Sequence, residues 1–152
     1  MTAPIDDAAH AATEARVRAS FAHQALMATL GARLERVAPG EVAIALPFRA
    51  DLTQQHGFLH AGVVAAVVDS ACGYAALTRM AADAAVLSVE FKINLLAPAA
   101  GDDFLAVGRV LRAGRTITVC AGELHARRAG GSAVVAVMQA TMMAVRERGL
   151  AD

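Results

Sequence analysis

Residues 51–80 read DLTQQHGFLHAGVVAAVVDSACGYAALTRM, a polar segment followed by an almost unbroken apolar run that contains one carboxylate, Asp69. The apolar run has about twenty residues without a turn signal, which is too long for a normal strand, and its many alanines favour a helix. A helix that is apolar on every side has to be buried on every side. The stretch therefore predicts a central helix over about residues 60–80, with a sheet wrapped around it.

The second half of the chain has the pattern of that sheet. Residues 86–98, VLSVEFKINLLAP, alternate between apolar and polar side chains. One predicted face consists of Leu87, Val89, Phe91, Ile93 and Leu95, and the other of Ser88, Glu90, Lys92 and Asn94. Residues 103–115, 116–128 and 132–145 follow after glycine-containing turns. We therefore expect long antiparallel strands joined by hairpins.

The first half predicts fewer elements. Helical spacing of apolar residues indicates a helix over about residues 8–30, which Gly31 ends. Two strands then surround a turn at Pro39-Gly40, and a polar loop covers residues 49–59. The expected order is a helix, two strands, the central helix and four strands. This is an α+β arrangement in one domain of residues 1–152, with its core over about 31–146.

Composition excludes several classes of function. The 152 residues include 14 basic and 14 acidic residues, so no basic field favours nucleic acid. The two cysteines form no metal or redox motif, and the apolar run is interrupted by a carboxylate and just too short to span a membrane. No signal peptide is recognisable. We expect a soluble, cytoplasmic protein, and the apolar content of 57% favours an oligomer that buries the excess.

Asp69 needs an explanation, because a carboxylate inside an apolar helix is costly unless it is paired or protonated. The ordinary explanation is a structural aspartate that binds a backbone amide or an arginine. Here the flanking residues are small and apolar, and the helix begins at His60-Ala61-Gly62, where free N–H groups could bind an oxyanion. Ala61 and Asp69 are about 12 Å apart along one helix. Two antiparallel copies could bring both to one carbonyl, so we infer a composite site at a homodimer interface.

The stretch QQHGFLHAGVVAAVVDSACGYAA resembles the signature of the hotdog-fold acyl-CoA thioesterases, in particular the phenylacetate-pathway (PaaI-like) and 4-hydroxybenzoyl-CoA thioesterase group. That signature has an Asn or Gln, a His-Gly-Gly six residues later, and an Asp or Glu nine residues after the His. Gln54, His60 and Asp69 keep this spacing. The turn PAAGD at residues 98–102 and the hairpin VLRAGR at 110–115 agree with it, so the resemblance covers about residues 20–146.

The resemblance implies a role for each site residue. Asp69 would be the general base or the nucleophile, and the backbone N–H of Ala61 would polarise the thioester carbonyl. The family usually has Gly at the position of Ala61, but the backbone amide is the group that acts. Gln54, with Gln55 as the alternative, would orient the thioester or the water. His60 would fix the start of the helix, and Ser88 matches a serine that lies near the water in some relatives.

Other side chains suggest weaker hypotheses. His56 and His60 are four residues apart but lack a third metal ligand, so we expect no metal and no cofactor beyond the CoA of the substrate. Ser70 lacks the sequence of a serine-hydrolase elbow. The cations that could bind the CoA phosphates are Lys92, Arg112 and Arg115, with Arg127 and Arg128 as further candidates, although solvated strand ends explain them equally well.

The sequence therefore predicts a thioesterase that hydrolyses a medium-chain or aromatic acyl-CoA and assembles as a homodimer, with a dimer of dimers expected. Two alternatives stay open. One is a hotdog dehydratase or hydratase that uses His60 and Asp69, and the other is a non-catalytic module that binds acyl-CoA.

Overall fold

Two helices, two strands, a central helix and four long strands follow one another in the computed structural model, which describes residues 7–147 and 149–150. The helices are α1 (Asp7–His23), α2 (Ala25–Leu30) and α3 (Ala61–Leu77). The strands are β1 (Arg33–Ala38), β2 (Glu41–Pro47), β3 (Ala85–Leu95), β4 (Asp103–Ala113), β5 (Ile117–Arg128) and β6 (Gly131–Val145). A single 3-10 turn, Ala50–Leu52, lies in the loop before α3.

The six strands form one antiparallel sheet in the order β1-β2-β4-β5-β6-β3. Helix α3 packs against its inner face and contacts every strand from β2 to β6. The predicted central helix with a sheet around it is therefore confirmed. None of the helices in the described part of the chain is long and apolar enough to cross a membrane.

Two glycines let α3 approach the sheet closely. Gly108 on β4 lies directly opposite Gly122 on β5. A Cβ atom at Gly108 would lie 2.5 Å from the backbone nitrogen of Cys72 and closer still to the Ala71 carbonyl. A Cβ atom at Gly122 would lie 2.5 Å from a methyl carbon of Val68. No side chain fits between helix and sheet at these two positions.

The predicted N-terminal helix is wrong in one respect, because it is interrupted at Gln24. Gln24 has an extended backbone (φ −79°, ψ 94°) and separates α1 from α2. Its backbone N–H still binds Phe21, and its carbonyl accepts the N–H groups of Met27 and Ala28, so the break leaves the chain hydrogen-bonded. Gly31 ends α2 as predicted, in the left-handed conformation (φ 72°).

Strand β3 also differs from its prediction, because it does not form a hairpin with β4. It lies at the edge of the sheet and pairs with β6. The strict alternation fails as well, because a β-bulge leaves Val89 unpaired between Ser88, opposite Met142, and Glu90, opposite Thr141. An extra residue in one strand reverses which side chains face the helix.

The bulge determines what β3 presents to α3. Ser88 shares the inner face with the buried Met142, whereas the prediction placed Ser88 on the same face as Lys92 and away from Phe91 and Ile93. After the bulge, Phe91 and Ile93 lie opposite the buried Ala140 and Met138, and therefore also on the inner face. Leu87 lies on the outer face. Several β3 side chains stay accessible on this edge strand: Leu87 46%, Val89 53%, Phe91 43% and Leu95 52%.

We expect Gly108→Ala to lower the free energy of unfolding by about 1–3 kcal/mol or more, because the new methyl group meets helix backbone that cannot rotate away. Gly122→Ala should cost less, since the side chain of Val68 can adjust. Urea unfolding of both variants beside wild type measures the difference. Equal stability of wild type and Gly108→Ala would show that α3 does not rest on β4 as closely as described.

Candidate active site

The start of α3 is shaped by a histidine cap. His60 has an extended backbone, and its Nδ1 accepts the N–H of Gly62 at 2.8 Å. The neighbouring N–H of Ala61 has no hydrogen-bond partner among the described residues. The loop before the helix is anchored because Leu59 donates its N–H to Ala99 and His60 donates its own to Leu52, both at 3.0 Å. One backbone donor at the positive end of α3 is thus left available for a ligand.

Gln54 lies beside that donor. Its side-chain oxygen accepts the backbone N–H of His56. Its carboxamide nitrogen has no partner in the described part of the chain. Gln54 and Ala61 both line a pocket of about 500 Å3, whose other walls are mostly apolar. These walls are Phe58, Leu59, Val64, Leu95, Leu96, Ala97, Pro98, Ala99 and Val135. Gln55 is exposed and lines no part of it.

Asp69 is half-buried and has one side-chain partner in the described residues. Ser88 donates its hydroxyl to Asp69 Oδ1 at 2.8 Å. Burial raises the pKa of the Asp69 carboxyl above its usual range, and the hydrogen bond from Ser88 lowers that pKa in part. The bulge at Val89 makes this contact possible, because it turns Ser88 towards the helix. The structure thus brings Ser88 to Asp69, although the predicted alternation had grouped Ser88 with Lys92 on one face of β3.

A second pocket, of about 110 Å3, lies against Asp69. It is lined by Gln24, Asp69, Ser70, Gly73, Tyr74, Val86 and Ser88. Gln24 and Tyr74 were missed by the sequence analysis, because no motif connects the N-terminal helices to α3. Ser70 donates its hydroxyl to Gln24 Oε1 at 3.1 Å, and Gln24 Nε2 lies 3.4 Å from the Tyr74 hydroxyl. Gln24 is one of several polar residues in the predicted N-terminal helix, so the sequence carried no signal that distinguished it.

The two pockets share no lining residue, so Asp69 and the Ala61 N–H serve different cavities within one protomer. A stripe along α3 also stays incompletely covered. Gly62 is exposed, and Ala66, Asp69 and Gly73 are half-buried, at the spacing of one helix face. One protomer therefore carries both chemical groups of the predicted site without bringing them together.

The predicted CoA-binding cations lie elsewhere. Lys92 is on the outer side of β3, where its Nζ contacts Asn94 at 2.7 Å, and Arg112 and Arg115 are exposed at the β4–β5 end. None of them lines the pockets of Gln54 or Asp69. Arg127 is held by Glu35 and Asp103 in an ion-pair network.

Arg128 lies in a pocket that adjoins the larger one. This pocket, of about 470 Å3, meets the pocket of Gln54 at Ala97, Pro98 and Val135. The carbonyl of Ala100 accepts its Nε and Nη2 hydrogens at 3.1 and 2.8 Å. Arg128 is therefore positioned, and it is still exposed to a ligand.

No metal or thiol chemistry is indicated. Within residues 7–147 and 149–150, no three His, Cys, Asp or Glu side chains are grouped so that they could hold a metal ion. Cys72 and Cys120 are buried, and burial raises the pKa of both thiols, that of Cys120 to about 11. A thiol with so high a pKa is a poor nucleophile at neutral pH.

Comparison with known proteins finds a matching family and similar solved structures. The family described as the thioesterase superfamily matches residues 56–133. A crystal structure of a thioesterase family protein from Silicibacter pomeroyi is 50% identical and covers 89% of this chain and 99% of its own, with a TM-score of 0.87. The E. coli PaaI protein of the phenylacetic acid degradation operon has a TM-score of 0.79, covering 88% of this chain and 93% of its own. At 20% identity it supports the fold alone, and the predicted hotdog fold is confirmed.

A curated relative covers less of the chain. A candidate esterase of Saccharolobus solfataricus is 36% identical over 80 residues, which are 53% of this chain. The match spans 56% of that protein's length, a little over half.

The raised pKa of Asp69 predicts that the carboxylate destabilises the fold. A raised folded-state pKa favours the protonated form, so stability is lost as pH rises from the ordinary Asp pKa through the raised one. We therefore expect Asp69→Asn to unfold at higher urea concentration than wild type at about pH 7, with the gap closing at about pH 3. Asp102→Asn, at an exposed position whose side chain has no partner among the described residues, is the control for loss of a surface charge. A gap that widens at low pH would contradict the prediction.

Proposed function

The chain belongs to the thioesterase superfamily, and on that premise we propose that it hydrolyses a medium-chain or aromatic acyl-CoA to the free acid and CoA. The observation that carries the proposal is Asp69, a half-buried carboxylate of raised pKa that is held by Ser88 on an otherwise apolar helix. A carboxylate with these properties suits a general base better than a structural ion pair, because no cation among the described residues contacts it.

The active site is composite and forms between two copies of the chain. Ala61 of one copy meets Asp69 of the other if two α3 helices pack antiparallel about Ala65, midway between the two positions. The incompletely covered stripe of Gly62, Ala66, Asp69 and Gly73 supports such a contact, since its small side chains allow helices to approach. The edge strand β3, with its accessible apolar side chains, supports pairing of the two sheets in the same dimer.

A dimer of dimers is supported by a second apolar surface. Leu87, Met143 and Ile117 lie side by side across β3, β6 and β5 on the outer face of the sheet. Leu87 and Ile117 are 46% and 43% exposed, and Leu111 on the neighbouring β4 is 63% exposed. Large apolar side chains in one exposed row favour burial against another copy.

Hydrolysis then needs only groups that the chain supplies. The N–H of Ala61 polarises the thioester carbonyl, and the carboxamide nitrogen of Gln54 orients the ester or the water. Asp69 takes a proton from water, whose oxygen attacks the carbonyl carbon. The C–S bond breaks, and the CoA thiolate leaves and is protonated. Ser88 keeps the carboxylate of Asp69 in place, and His60 fixes the helix start through Gly62.

The CoA moiety enters along the larger pocket. Its pantetheine arm fits the apolar walls beside Gln54, and the adjoining pocket leads to Arg128. A guanidinium that is held by a backbone carbonyl suits a phosphate at this place. We assign the phosphate contact to Arg128 ahead of Lys92, Arg112 and Arg115.

The experiment that tests the function measures thiol release from acetyl-, hexanoyl-, decanoyl-, phenylacetyl- and 4-hydroxybenzoyl-CoA. We expect turnover by wild type and a fall of about 10²-fold to 10⁴-fold in kcat for Asp69→Ala, because the general base is lost. Equal rates in both proteins would show that Asp69 is structural. Hydration of crotonyl-CoA without thiol release would favour the hydratase, and tight binding of CoA esters without turnover would favour the binding module.

Mixed dimers, assayed by the same thiol release, test whether each site combines residues of two protomers. Protomers with Asp69→Ala are combined with protomers that carry Gln54→Ala, each inactive or nearly so as a homodimer. A mixed dimer has one site with both residues intact, so activity should return to about a quarter of wild type for randomly mixed chains. No recovery in verified mixed dimers would place Asp69 and Gln54 in the same protomer's site.

We expect Arg128→Ala to raise KM for acyl-CoA by about fivefold, equivalent to about 1 kcal/mol for one exposed charge-assisted contact. An N-acetylcysteamine thioester lacks the phosphates and should be hydrolysed equally by both proteins. The variant Arg115→Ala is measured under the same conditions as Arg128→Ala. A larger KM effect for Arg115→Ala than for Arg128→Ala would contradict the assignment.

A further inference from the structure

The hydroxyl group of Ser88 has one hydrogen and two acceptors within reach. It donates to Asp69 Oδ1 at 2.8 Å, and the Sδ atom of Met142 lies 3.4 Å from the same hydroxyl oxygen. Ser88 and Met142 are directly opposite each other on β3 and β6, and Met142 is completely buried, so the sheet fixes the position of the sulfur. The hydrogen of Ser88 can therefore point to the carboxylate or to the thioether, but not to both.

In the ionised form of Asp69, the carboxylate holds this hydrogen. A hydrogen bond to a charged acceptor is about twice as strong as one between neutral groups, and a thioether sulfur is a weak acceptor. Burial raises the pKa of Asp69, and the hydrogen bond from Ser88 lowers that pKa in part. The contact with Met142 is thus the secondary one as long as Asp69 carries a charge.

Protonation of Asp69 changes this balance. In the proposed hydrolysis Asp69 takes a proton from water and holds it until the CoA thiolate is protonated. A proton on Oδ1 would face the hydrogen of Ser88 if the hydroxyl kept its orientation. When the hydroxyl rotates towards Met142, its oxygen accepts the new O–H of Asp69 and its own hydrogen is donated to Sδ. Only hydrogen bonds are exchanged in this rotation, and no covalent bond of Ser88 or Met142 changes.

We propose that Met142 is a positioning residue whose thioether accepts the hydrogen of Ser88 when Asp69 is protonated on Oδ1. Asp69 and Ser88 then stay hydrogen-bonded in both protonation states of the carboxyl group. The thioether stabilises the protonated form of Asp69 and so makes Asp69 a better general base. The catalytic role rests on the proposed thioesterase function, whereas the exchange of hydrogen bonds requires no substrate.

No charged side chain among the described residues hydrogen-bonds to Asp69. The polar and titratable groups that face it are Cys72 and Tyr74 on α3, Ser88 on β3, Gln24 at the break between α1 and α2 and, in the composite site, His60 at the start of the other copy's α3. Burial raises the pKa of Cys72, so this thiol stays neutral while Asp69 titrates. His60 titrates separately, and a signal from the carboxyl group of Asp69 distinguishes the two.

Met142→Leu tests the proposal, because leucine has a similar volume and no acceptor. We expect the acid limb of the kcat/KM profile, which reports the base of the free enzyme, to move to lower pH. On the best acyl-CoA, kcat should fall about threefold with KM unchanged, since a weak hydrogen bond to the protonated form is lost. Met138→Leu is the matched control, because Met138 is also buried on the inner face of β6 but lies opposite Ile93 and Gly122.

Ser88→Ala should move the same limb in the opposite direction. Its hydroxyl lowers the pKa of Asp69, so the loss of the hydroxyl should move the limb to higher pH. In the Ser88→Ala background, Met142→Leu should cause no further change, because the thioether has lost its donor. Ser88→Thr keeps a hydroxyl and should restore the response to Met142→Leu.

A carbon-13 NMR titration of the Asp69 carboxyl group, assigned with Asp69→Asn, measures the same midpoints without substrate. Incorporation of norleucine, which resembles methionine but has no sulfur, replaces Met142→Leu if that variant does not fold, with Ser88→Ala as the control background.

Three results would overturn the inference while the thioesterase function stands. They are an unchanged or raised midpoint in Met142→Leu, an equal effect of Met138→Leu, and a further shift by Met142→Leu in the Ser88→Ala background. A wild type that hydrolyses no ester would reject the proposed function, and the NMR titration would then decide whether the hydrogen bonds are exchanged.

Discussion

Gly108 and Gly122 lie opposite each other on β4 and β5, and α3 rests directly on them. Because no side chain separates helix from sheet there, the buried face of α3 is fixed, and Val68, Ala71 and Cys72 are completely enclosed. This contact also determines the direction in which every other side chain of α3 points. Asp69 cannot turn inwards without rotating Val68 out of the core, so it lies at the border between the core and the uncovered stripe. A close backbone contact thus places the carboxylate of the candidate site.

The face of α3 that carries Asp69 also carries the residues that lower the stability of the fold. The burial that raises the pKa of Asp69 also penalises its ionised form, and the interior glycine at position 73 weakens the helix next to it. These residues border one small cavity, and the enclosed residues on the opposite side of α3 are apolar and well packed. Stability given up beside a cavity is what a binding site requires.

The sequence predicted the elements well, because their signals are local. The length and composition of the 60–80 stretch indicated α3, and Gly31 and Pro39-Gly40 marked an end and a turn through their own backbone preferences. The bulge at Val89 has no local signal: it depends on pairing with β6, about fifty residues later in the chain. Ser88 was named from the family resemblance although the alternation placed it on the wrong face. The contribution of Gln24 required the contact of the α1 end with Tyr74 and Ser70 on α3, which no periodicity encodes.

The separation of Ala61 from Asp69 along one rigid helix explains why a dimer suits this chemistry. Within one copy the two groups are held about 12 Å apart and line different cavities, so neither can act on the other's ligand. An antiparallel pair of the same helix converts that fixed separation into two equivalent sites, each with one base and one oxyanion donor. Because both groups belong to one element that packs against β4 and β5, their spacing across such an interface is set by where the two helices cross, at what angle and how closely. A single well-packed contact would then position both halves of each site, which is the preorganisation that electrostatic catalysis needs.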